Sequence, residues 1–384
     1  MRTRKILAGV ASLALLAAAC TSQPGATVKP KPSVPGALGA NEGALNLVAW
    51  AGYVEQDWVT PFETETGCKV NATLGNTSDE MVTLVKTGNY DGVSASGDAS
   101  NRLIAAGDVA AVNLNLIPNF GNVFEGLKNK PHNSVDGVSY GVPHGRGANL
   151  LMWRTDVVTP APDSWSVVFD PNSPYKGKVT AYDAPIYIAD AAVYLMATKP
   201  DLKITNPYEL DDAQFKAAVD LLKEQKTIIG QYWSLYTDEQ AAFAAGDSVV
   251  GTTWQVIKNL LDADAVPVEL TLPKEGATGW SDTWMISSKA KNANCMYAWM
   301  NYIISPAANA AATVYFGEAP VSAAGCAEAE KLSAGHCDTF HATDEAYFSK
   351  VYYWATPQKE CGDSRGAVCK DFSEWVQAWT EIKG

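Results

Sequence analysis

The sequence has few basic residues and no cluster of them beyond its first five positions. Its 384 residues include 29 Lys and Arg against 42 Asp and Glu, which gives a formal net charge of −13 at pH 7. Proteins that bind nucleic acid present a basic surface to the phosphates, and this chain has no stretch that could form one. The composition therefore argues against DNA or RNA as a partner.

Long apolar runs are also missing, apart from one near the N-terminus. That run extends from Ile6 to Ala19, shorter than the roughly 20 residues that a membrane-spanning helix needs. The mean hydropathy of the whole chain is −0.09. These observations exclude a channel or permease. With 47% hydrophobic and 18% charged residues, the chain can instead bury the cores of about two domains.

The N-terminal run has the features of an export signal. Basic residues precede it, and three small residues lead from it to Cys20. A cysteine at this place resembles the lipobox of bacterial lipoproteins, in which the thiol is lipidated and becomes the new N-terminus; ordinary signal cleavage is the alternative. We expect a signal peptide over residues 1–19, lipidation at Cys20, and a flexible membrane tether over residues 20–44, which are rich in Pro, Gly, Ser and Ala.

Six cysteines remain beyond Cys20, and an even number in an exported chain predicts up to three disulfides. Six cysteines can pair in fifteen ways, so the sequence leaves the connectivity open. The shortest loops are the easiest to close. Loop length thus favours Cys326 with Cys337, Cys361 with Cys369 and, by remainder, Cys68 with Cys295.

A metal site is the weaker interpretation of these cysteines. Cys326, His336, Cys337 and His341 lie close together, but the chain has no C-x-x-C pair and its other histidines are scattered. We therefore predict no metal ligands and no cofactor.

From residue 45 onward, short strand-like runs alternate with segments whose apolar residues have helical spacing. The first such unit extends to about residue 93, and the pattern returns after residue 175. This order favours mostly parallel sheets with helices on both faces. Since ligands of open α/β sheets lie beyond the carboxyl ends of the strands, two facing lobes would enclose a cleft.

Catalytic motifs are absent from the sequence. It contains no G-x-S-x-G, H-E-x-x-H or G-x-G-x-x-G, and no phosphate loop ending in G-K-[ST]. The acidic pair Asp211-Asp212 falls at a predicted helix start, where negative charge suits the helix dipole. His144 beside Arg146 offers the one plausible acid–base pair, so an exported hydrolase or a sensor domain stays an alternative class. We predict a binding protein and not an enzyme.

Aromatic residues are abundant, with 12 Trp and 16 Tyr. Several follow strand-like runs, and Trp280 stands beside Asp282. An aromatic face attracts a cation and a carboxylate adds a directional partner, so this combination suits an amine ligand. The alternative is that these residues only pack. We assign to packing the tryptophans on helix-patterned segments, namely Trp58, Trp299, Trp375 and Trp379.

The stretch LNLVAWAGYVEQDWVTPFETETGCKV resembles the start of the mature spermidine/putrescine-binding proteins of bacterial ABC importers. Further matches continue in the same order to about residue 320. They include Tyr90-Asp91 with Ser96, Pro143, Ser164-Trp165, Tyr175-Lys176-Gly177, Gly246 through Trp254, and Pro273-Lys274-Glu275-Gly276.

The resemblance implies the type II periplasmic binding-protein fold. In this fold two α/β lobes, each a mostly parallel sheet flanked by helices, are joined by crossing strands and close on a ligand at the hinge. We expect crossings near residues 145–150 and 278–283. The expected lobes are residues 45–147 plus 282–326, and residues 148–281 plus 327–384.

The resemblance also implies a set of ligand-binding residues. They are Trp50 and Tyr53 in the first loop, Ser96 as a small polar contact, Trp254 and Trp280 as aromatic walls, Asp282 as the carboxylate that holds an ammonium, and Asp183 as the first acid of an Asp-Ala-x-Glu motif. The chain departs from the family at several positions: Ile186 replaces the Glu of that motif, Gly52 replaces a first-loop acid, Asp98 and Glu318 replace aromatic residues, and Arg146 replaces a bulky aromatic.

Two ligands are compatible with these residues. In the favoured interpretation, Asp282 and Asp183, with Asp98 or Glu318, hold the ammonium groups of a polyamine. In the other, Arg146 holds the carboxylate of a zwitterionic ω-amino acid such as 4-aminobutyrate. Both imply a monomeric substrate-binding lipoprotein, exported to the periplasm or cell surface, that delivers a small organic amine to ABC permease subunits.

Overall fold

The computed structural model describes residues 35–362 and 365–384. The predicted signal peptide, Cys20 and most of the predicted tether lie outside the described residues. Residues 35–44 are the described end of that predicted tether, and there Glu42 accepts hydrogen bonds from the backbone N–H groups of Asn294 and Cys295, each at 3.0 Å. None of the helices in the described ranges has the length and apolarity to cross a bilayer.

The first lobe is built on a five-stranded sheet with the order β2-β1-β3-β14-β6, in which β14 is Thr283–Ile286. Strands β1, β2 and β3 are parallel, whereas β14 is antiparallel to both of its neighbours. The elements of this part are β1 Ala44–Ala49, α1 Gln56–Thr66, β2 Lys69–Leu74, α2 Ser78–Lys86, β3 Gly92–Ala95, α3 Gly97–Ala106, β4 Ser134–Val135, β5 Val138–Ser139 and β6 Val142–Pro143, with 3-10 turns at Leu114–Leu116, Pro118–Asn122 and Glu125–Leu127.

The second lobe repeats this plan with the strand order β10-β9-β11-β8-β12. Strands β9, β10 and β11 are parallel, and β8 is antiparallel to β11 and β12. Its elements are β8 Leu150–Arg154, α4 Ser166–Phe169, β9 Val179–Tyr182, α5 Ile188–Thr198, α6 Asp212–Gln225, β10 Ile229–Trp233, α7 Tyr236–Ala245, β11 Val250–Thr253, α8 Gln255–Ala263 and β12 Val268–Thr271, with 3-10 turns at Pro185–Tyr187 and Pro200–Leu202.

A small third sheet lies where the chain passes between the lobes. Its order is β15-β13-β7, from β7 Gly147–Ala148, β13 Ala277–Trp280 and β15 Val351–Tyr353. Strand β13 pairs antiparallel with β7 and parallel with β15. The chain then returns to the first sheet through β14 Thr283–Ile286. The predicted lobe boundaries stay a prediction, whereas the predicted two-lobe α/β architecture is confirmed.

The remaining helices follow β14. They are α9 Ala293–Ile303, α10 Pro306–Phe316, α11 Ala323–Leu332, α12 His336–Thr339, α13 Glu345–Phe348 and, at the C-terminus, α14 Phe372–Lys383. The structure pairs the six cysteines in the connectivity that loop length favours: Cys68 with Cys295, Cys326 with Cys337 and Cys361 with Cys369.

Local sequence signals set several helix ends. Helix α1 ends at Gly67, whose φ of 72° is a left-handed conformation that glycine adopts without steric cost. The side chain of Thr77 accepts a hydrogen bond from the N–H of Glu80 and so caps α2. Asp211 caps α6 in a reciprocal capping box with Gln214, which confirms the predicted helix start.

Both sheets are covered on both faces, as strand alternation requires. In β1, Leu45 and Leu47 belong to one apolar cluster and Val48 to another on the opposite face. The second sheet likewise separates two clusters, with Leu151 in one and Met152 in the other. The tryptophans assigned to packing are buried as predicted: Trp58, Trp299, Trp375 and Trp379.

Candidate functional site

The carboxylate of Asp282 lies at the junction between β13 and β14. It accepts a hydrogen bond from the hydroxyl of Tyr53 at 3.0 Å and another from Ser96 Oγ at 2.7 Å. Tyr53 follows β1 and Ser96 follows β3, and these neighbouring parallel strands end at the same edge of the sheet. All three side chains are buried, and Asp282 itself is 4% exposed.

Both donors to Asp282 are neutral hydroxyls, so this buried carboxylate forms no ion pair within the described residues. Burial raises the pKa of Asp282 to about 6, and the negative charge of Asp98 adds to that increase, while the two hydrogen bonds oppose it. A buried anion that only neutral groups contact is electrostatically incomplete, and a cation beside it would stabilise the charged form.

A second buried acid, Asp98, lies in the first turn of α3. It is 6% exposed and accepts a hydrogen bond from Ser78 Oγ at 2.8 Å. Burial raises its pKa, against the effects of the Ser78 hydrogen bond and of Arg102. Arg102 forms an ion pair with Asp79 at 2.5 Å and donates through Nε to the backbone oxygen of Asp98.

A third acid, Glu318, is completely buried. Neither of its carboxyl oxygens has a hydrogen-bond partner within the described residues. Its Oε1 lies 3.4 Å from Nε2 of His144. Burial, followed by the charge of Asp282, raises the pKa of Glu318 well above its usual range. Three acids therefore share one electrostatic environment at the mouth of the first lobe.

His144 is neutral, and its tautomer follows from its contacts. The indole N–H of Trp284 donates to His144 Nδ1 at 3.0 Å, and an indole nitrogen can only donate. The proton of the imidazole must therefore lie on Nε2, on the side of Glu318. Burial lowers the pKa of His144 to about 3, so His144 brings no positive charge to the acids.

Aromatic rings form a continuous wall from the first lobe through the hinge to the second lobe. Successive ring centroids are separated by 4.8 Å for Tyr53 and Phe316, 5.8 Å for Phe316 and Trp280, 6.4 Å for Trp280 and Trp254, 5.6 Å for Trp254 and Tyr182, and 5.7 Å for Tyr182 and Trp354. The predicted wall residues Trp254 and Trp280 belong to it.

Three members of this wall were not predicted from the sequence. Tyr182 ends β9, so the strand-end rule that pointed to Trp254 would also have found it. Phe316 ends α10, and Trp354 follows the three-residue strand β15, where the sequence pattern is weak. The predicted residue Trp50 is half-buried after β1, and its backbone N–H donates to Ser94 Oγ at 3.2 Å.

Two of the predicted charged site residues already have partners elsewhere in the protein. One is Asp183, which accepts a hydrogen bond from the indole N–H of Trp379 at 3.1 Å and forms an ion pair with Lys383 of the C-terminal helix. The structure therefore directs this carboxylate towards α14 and away from Asp282. Its role as an ammonium-binding residue stays a prediction.

The other is Arg146, which is almost completely buried. Its guanidinium donates to Glu345 Oε1 at 2.7 Å and to the backbone oxygen of Ala342 at 2.8 Å, and it lies 3.8 Å from the ring centroid of Phe348. Arg146 also lines a small cavity of about 20 Å³ together with Trp254 and other residues. The side chain thus lies near the aromatic wall, but its charge is already paired with Glu345.

Residues 57–335 match the family described as bacterial extracellular solute-binding protein. A curated relative, the putrescine-binding periplasmic protein SpuD of Pseudomonas aeruginosa, is 28% identical over 287 residues, which cover 70% of this chain and 76% of that protein.

Two solved structures share the fold. The spermidine/putrescine ABC transporter substrate-binding protein PotD of Streptococcus pneumoniae superposes with a TM-score of 0.70 at 17% identity, over 89% of this chain and 99% of the other. The Atu4243–GABA receptor superposes with a TM-score of 0.64 at 20% identity, over 88% of this chain and 95% of the other. Because the family match covers more than half of the chain, this protein belongs to the bacterial extracellular solute-binding proteins, the binding components of ABC transporters and not enzymes.

Proposed function

We propose that this protein captures a di- or polyamine of the putrescine and spermidine type between its lobes and delivers it to the permease of an ABC importer. One observation carries the proposal. The carboxylate of Asp282 is buried and, among the described residues, receives hydrogen bonds only from the neutral hydroxyls of Tyr53 and Ser96. An ammonium group would supply the positive charge that this arrangement lacks.

The other two acids favour a ligand with more than one positive charge. Glu318 has no hydrogen-bond partner within the described residues, and Asp98 is held by a serine hydroxyl. A ligand with a single ammonium could neutralise one of these acids and would leave the others buried and charged, or protonated. A ligand with two or three positive charges can neutralise more of these buried acids.

The aromatic wall suits the apolar part of such a ligand. The methylene groups between the amines of putrescine or spermidine would lie against rings such as Trp280 and Trp254, and each buried CH₂ contributes about 0.8 kcal/mol. Ring faces also attract the ammonium ends. The relatives that are named for binding putrescine or spermidine support this choice of ligand.

A zwitterionic ω-amino acid such as 4-aminobutyrate is the second candidate. Arg146 lies beside the aromatic wall, and a structural neighbour is described as a GABA receptor. In this structure, however, Glu345 and the carbonyl of Ala342 occupy the guanidinium. A ligand carboxylate would have to displace Glu345, so we favour the polyamine.

Delivery would depend on hinge closure. Asp282 and the rings on either side of it are buried, so the lobes must open at the strands β7 and β13 to admit a ligand. Closure excludes water and strengthens the charged contacts. The proposed lipid anchor at Cys20 would keep the protein near the permease at high effective concentration.

Titration calorimetry of the mature chain with Cys20→Ser, which removes the lipidation site, tests the proposal. The ligands are putrescine, spermidine, 4-aminobutyrate and N-acetylputrescine, which matches the carbon chain of putrescine but has one ammonium. We expect putrescine or spermidine to bind at least about 30-fold more tightly than N-acetylputrescine. Binding of 4-aminobutyrate alone would favour the second candidate, and no binding of any of the four would refute both.

A further inference from the structure

A chain of three hydrogen bonds connects the wall residue Trp254 to a buried acid, Asp190. The indole Nε1–H of Trp254 donates to Oδ1 of Asn149 at 2.8 Å. The amide nitrogen of Asn149 donates to Oγ1 of Thr278 at 2.6 Å. The hydroxyl of Thr278 in turn donates to Oδ1 of Asp190 at 2.9 Å.

Chemistry fixes the direction of the first two links in this hydrogen-bond chain. An indole nitrogen only donates, so Asn149 must present its oxygen to Trp254 and its amide nitrogen to Thr278. The Thr278 hydroxyl accepts from this amide and donates its own proton to the carboxylate of Asp190. The indole at one end thus sets the orientation of Asn149, and the carboxylate at the other end holds the Thr278 hydroxyl.

The hydrogen-bond chain is also anchored to the backbone of the strands between the lobes. Asn149 stands between β7 and β8, and its backbone N–H donates to the backbone oxygen of Thr278 in β13 at 2.9 Å. Asp190 belongs to α5 of the second lobe. The side chains of Asn149, Thr278 and Asp190 are at most 5% exposed, so water cannot readily replace any of the three bonds.

Trp254 is half-buried, and it contacts three other rings, Trp233 and Trp280 edge-on and Tyr182 at a tilt. Without the bond to Asn149, these ring contacts alone would orient the indole, and ligand binding would have to remove the motion that remains. Ordering a side chain at binding weakens affinity, which is why preorganised sites support their contact residues from behind.

We propose that Asn149, Thr278 and Asp190 are positioning residues that hold the Trp254 ring in place on the wall of the binding site. The expected effect of these residues on ligand affinity rests on the proposed function, whereas their effect on the orientation of the Trp254 ring does not. These hydrogen bonds cross the strands that join the lobes, so they connect the Trp254 ring directly to the hinge.

Nuclear magnetic resonance of the indole N–H groups tests the ring. The full mature chain with Cys20→Ser is labelled with ¹⁵N, and the Trp254 signal is assigned by its loss in Trp254→Phe. Thr278→Val, which is nearly isosteric, removes the hydroxyl that accepts from Asn149 and donates to Asp190. The Trp254 signal should therefore shift, and its indole proton should exchange with solvent at least about tenfold faster, because Asn149 is no longer held in place. Asp190→Leu should do the same, and Asp190→Asn, which keeps an acceptor oxygen for Thr278, should change it less.

Thr252→Val is the matched control. Thr252 is a buried threonine whose hydroxyl has no hydrogen-bond partner in the described part of the chain. Its replacement should leave the Trp254 signal in place. An unmoved Trp254 signal in both Thr278→Val and Asp190→Leu, or an equal shift in Thr252→Val, would overturn the inference.

Calorimetry with putrescine tests the consequence for binding. Thr278→Val should raise the dissociation constant by at least about threefold, and Thr252→Val should leave it unchanged. A shifted indole signal with unchanged putrescine affinity would overturn the positioning role. If the parent protein binds spermidine and not putrescine, spermidine takes its place in this measurement. If it binds neither, the proposed function fails, and the indole signals alone decide whether the hydrogen-bond chain holds the ring.

Discussion

Replacing Asp282 with Asn removes one buried negative charge and keeps the shape of the side chain. The introduced amide can still accept from one hydroxyl and donate to the other, since the hydroxyls of Tyr53 and Ser96 can both donate and accept. The variant should therefore fold. We expect it to bind putrescine more weakly and, without ligand, to be more stable than the parent protein.

The size of each effect follows from the surroundings of Asp282. Removing one partner of a desolvated ammonium–carboxylate pair costs about 2 to 4 kcal/mol, so the dissociation constant for putrescine should rise about 30-fold to 1,000-fold. In the absence of ligand, burial raises the pKa of Asp282 to about 6. Compared with an ordinary aspartate near 3.9, this corresponds to up to about 3 kcal/mol of instability at pH 8 that Asn relieves.

The effect of Asp282→Asn on stability without ligand depends on pH. The folded state holds the proton of Asp282 more tightly than the unfolded state does. The destabilisation is therefore present above pH 6 and disappears as the pH falls towards 4. Urea unfolding at pH 8 should show Asp282→Asn to be more stable than the parent, and the difference should vanish near pH 4.

The control for charge alone is Asp247→Asn. Asp247 is exposed on the surface of the second lobe, so its replacement changes the net charge equally without touching the buried acids. It should alter putrescine affinity by no more than about twofold. Equal affinity of Asp282→Asn and Asp247→Asn, or a loss of stability at pH 8 in Asp282→Asn, would show that Asp282 does not act as an incomplete buried anion.

Three further predictions concern other features of the molecule. Lowering the pH from 8 to 5 should weaken putrescine binding by about tenfold in calorimetry, because Asp282 takes up a proton near pH 6; a flat profile would contradict this. Replacing Cys68 and Cys295 together with Ser should lower the free energy of unfolding in urea by up to about 5 kcal/mol, because this disulfide spans 227 positions; no measurable loss would be inconsistent with a chain-entropy effect. Arg146→Gln should lower the melting temperature, because it removes a buried guanidinium from its partners, yet leave putrescine affinity within about twofold; a tenfold loss of 4-aminobutyrate affinity would point to the amino-acid ligand.

The elements of the fold could be predicted because local rules decide them. Gly67 ends a helix by its left-handed conformation, and Thr77 and Asp211 start helices by capping them. Each effect involves residues within a few positions of one another. The repeated β-α order then determines the parallel core of each lobe.

The centre of the site could be predicted for a similar reason. Tyr53 and Ser96 follow neighbouring parallel strands, and a sheet brings the ends of such strands together. The antiparallel strand β14 beside β3 places Asp282 at the same edge. The contact between these three residues is a consequence of topology, which the resemblance to the importer proteins already implied.

Pairing of charges could not be predicted, because the partners are far apart in sequence. Lys383 reaches Asp183 across 200 positions, and Glu345 reaches Arg146 across 199. Neither pair follows from a spacing rule, and each depends on where the C-terminal segment packs. A family motif can thus keep its acid while the side chain acquires an internal partner.

This difference between acids bears on the charge of the ligand. The resemblance implies both Asp183 and Asp282 as ligand-binding acids, but Lys383 pairs with Asp183, whereas within the described residues the carboxylate of Asp282 receives hydrogen bonds from hydroxyls only. A cation gains most beside the carboxylate that is desolvated and unpaired, because the cost of burying that charge has already been met by folding. Among the described residues, the buried acids at the mouth of the first lobe that lack an ion-pair partner are Asp282, Asp98 and Glu318, and the raised pKa of Glu318 keeps that acid protonated until a cation lies beside it. The charge of the preferred ligand should therefore follow the number of unpaired buried acids that ionise beside it and not the number of acids in the motif.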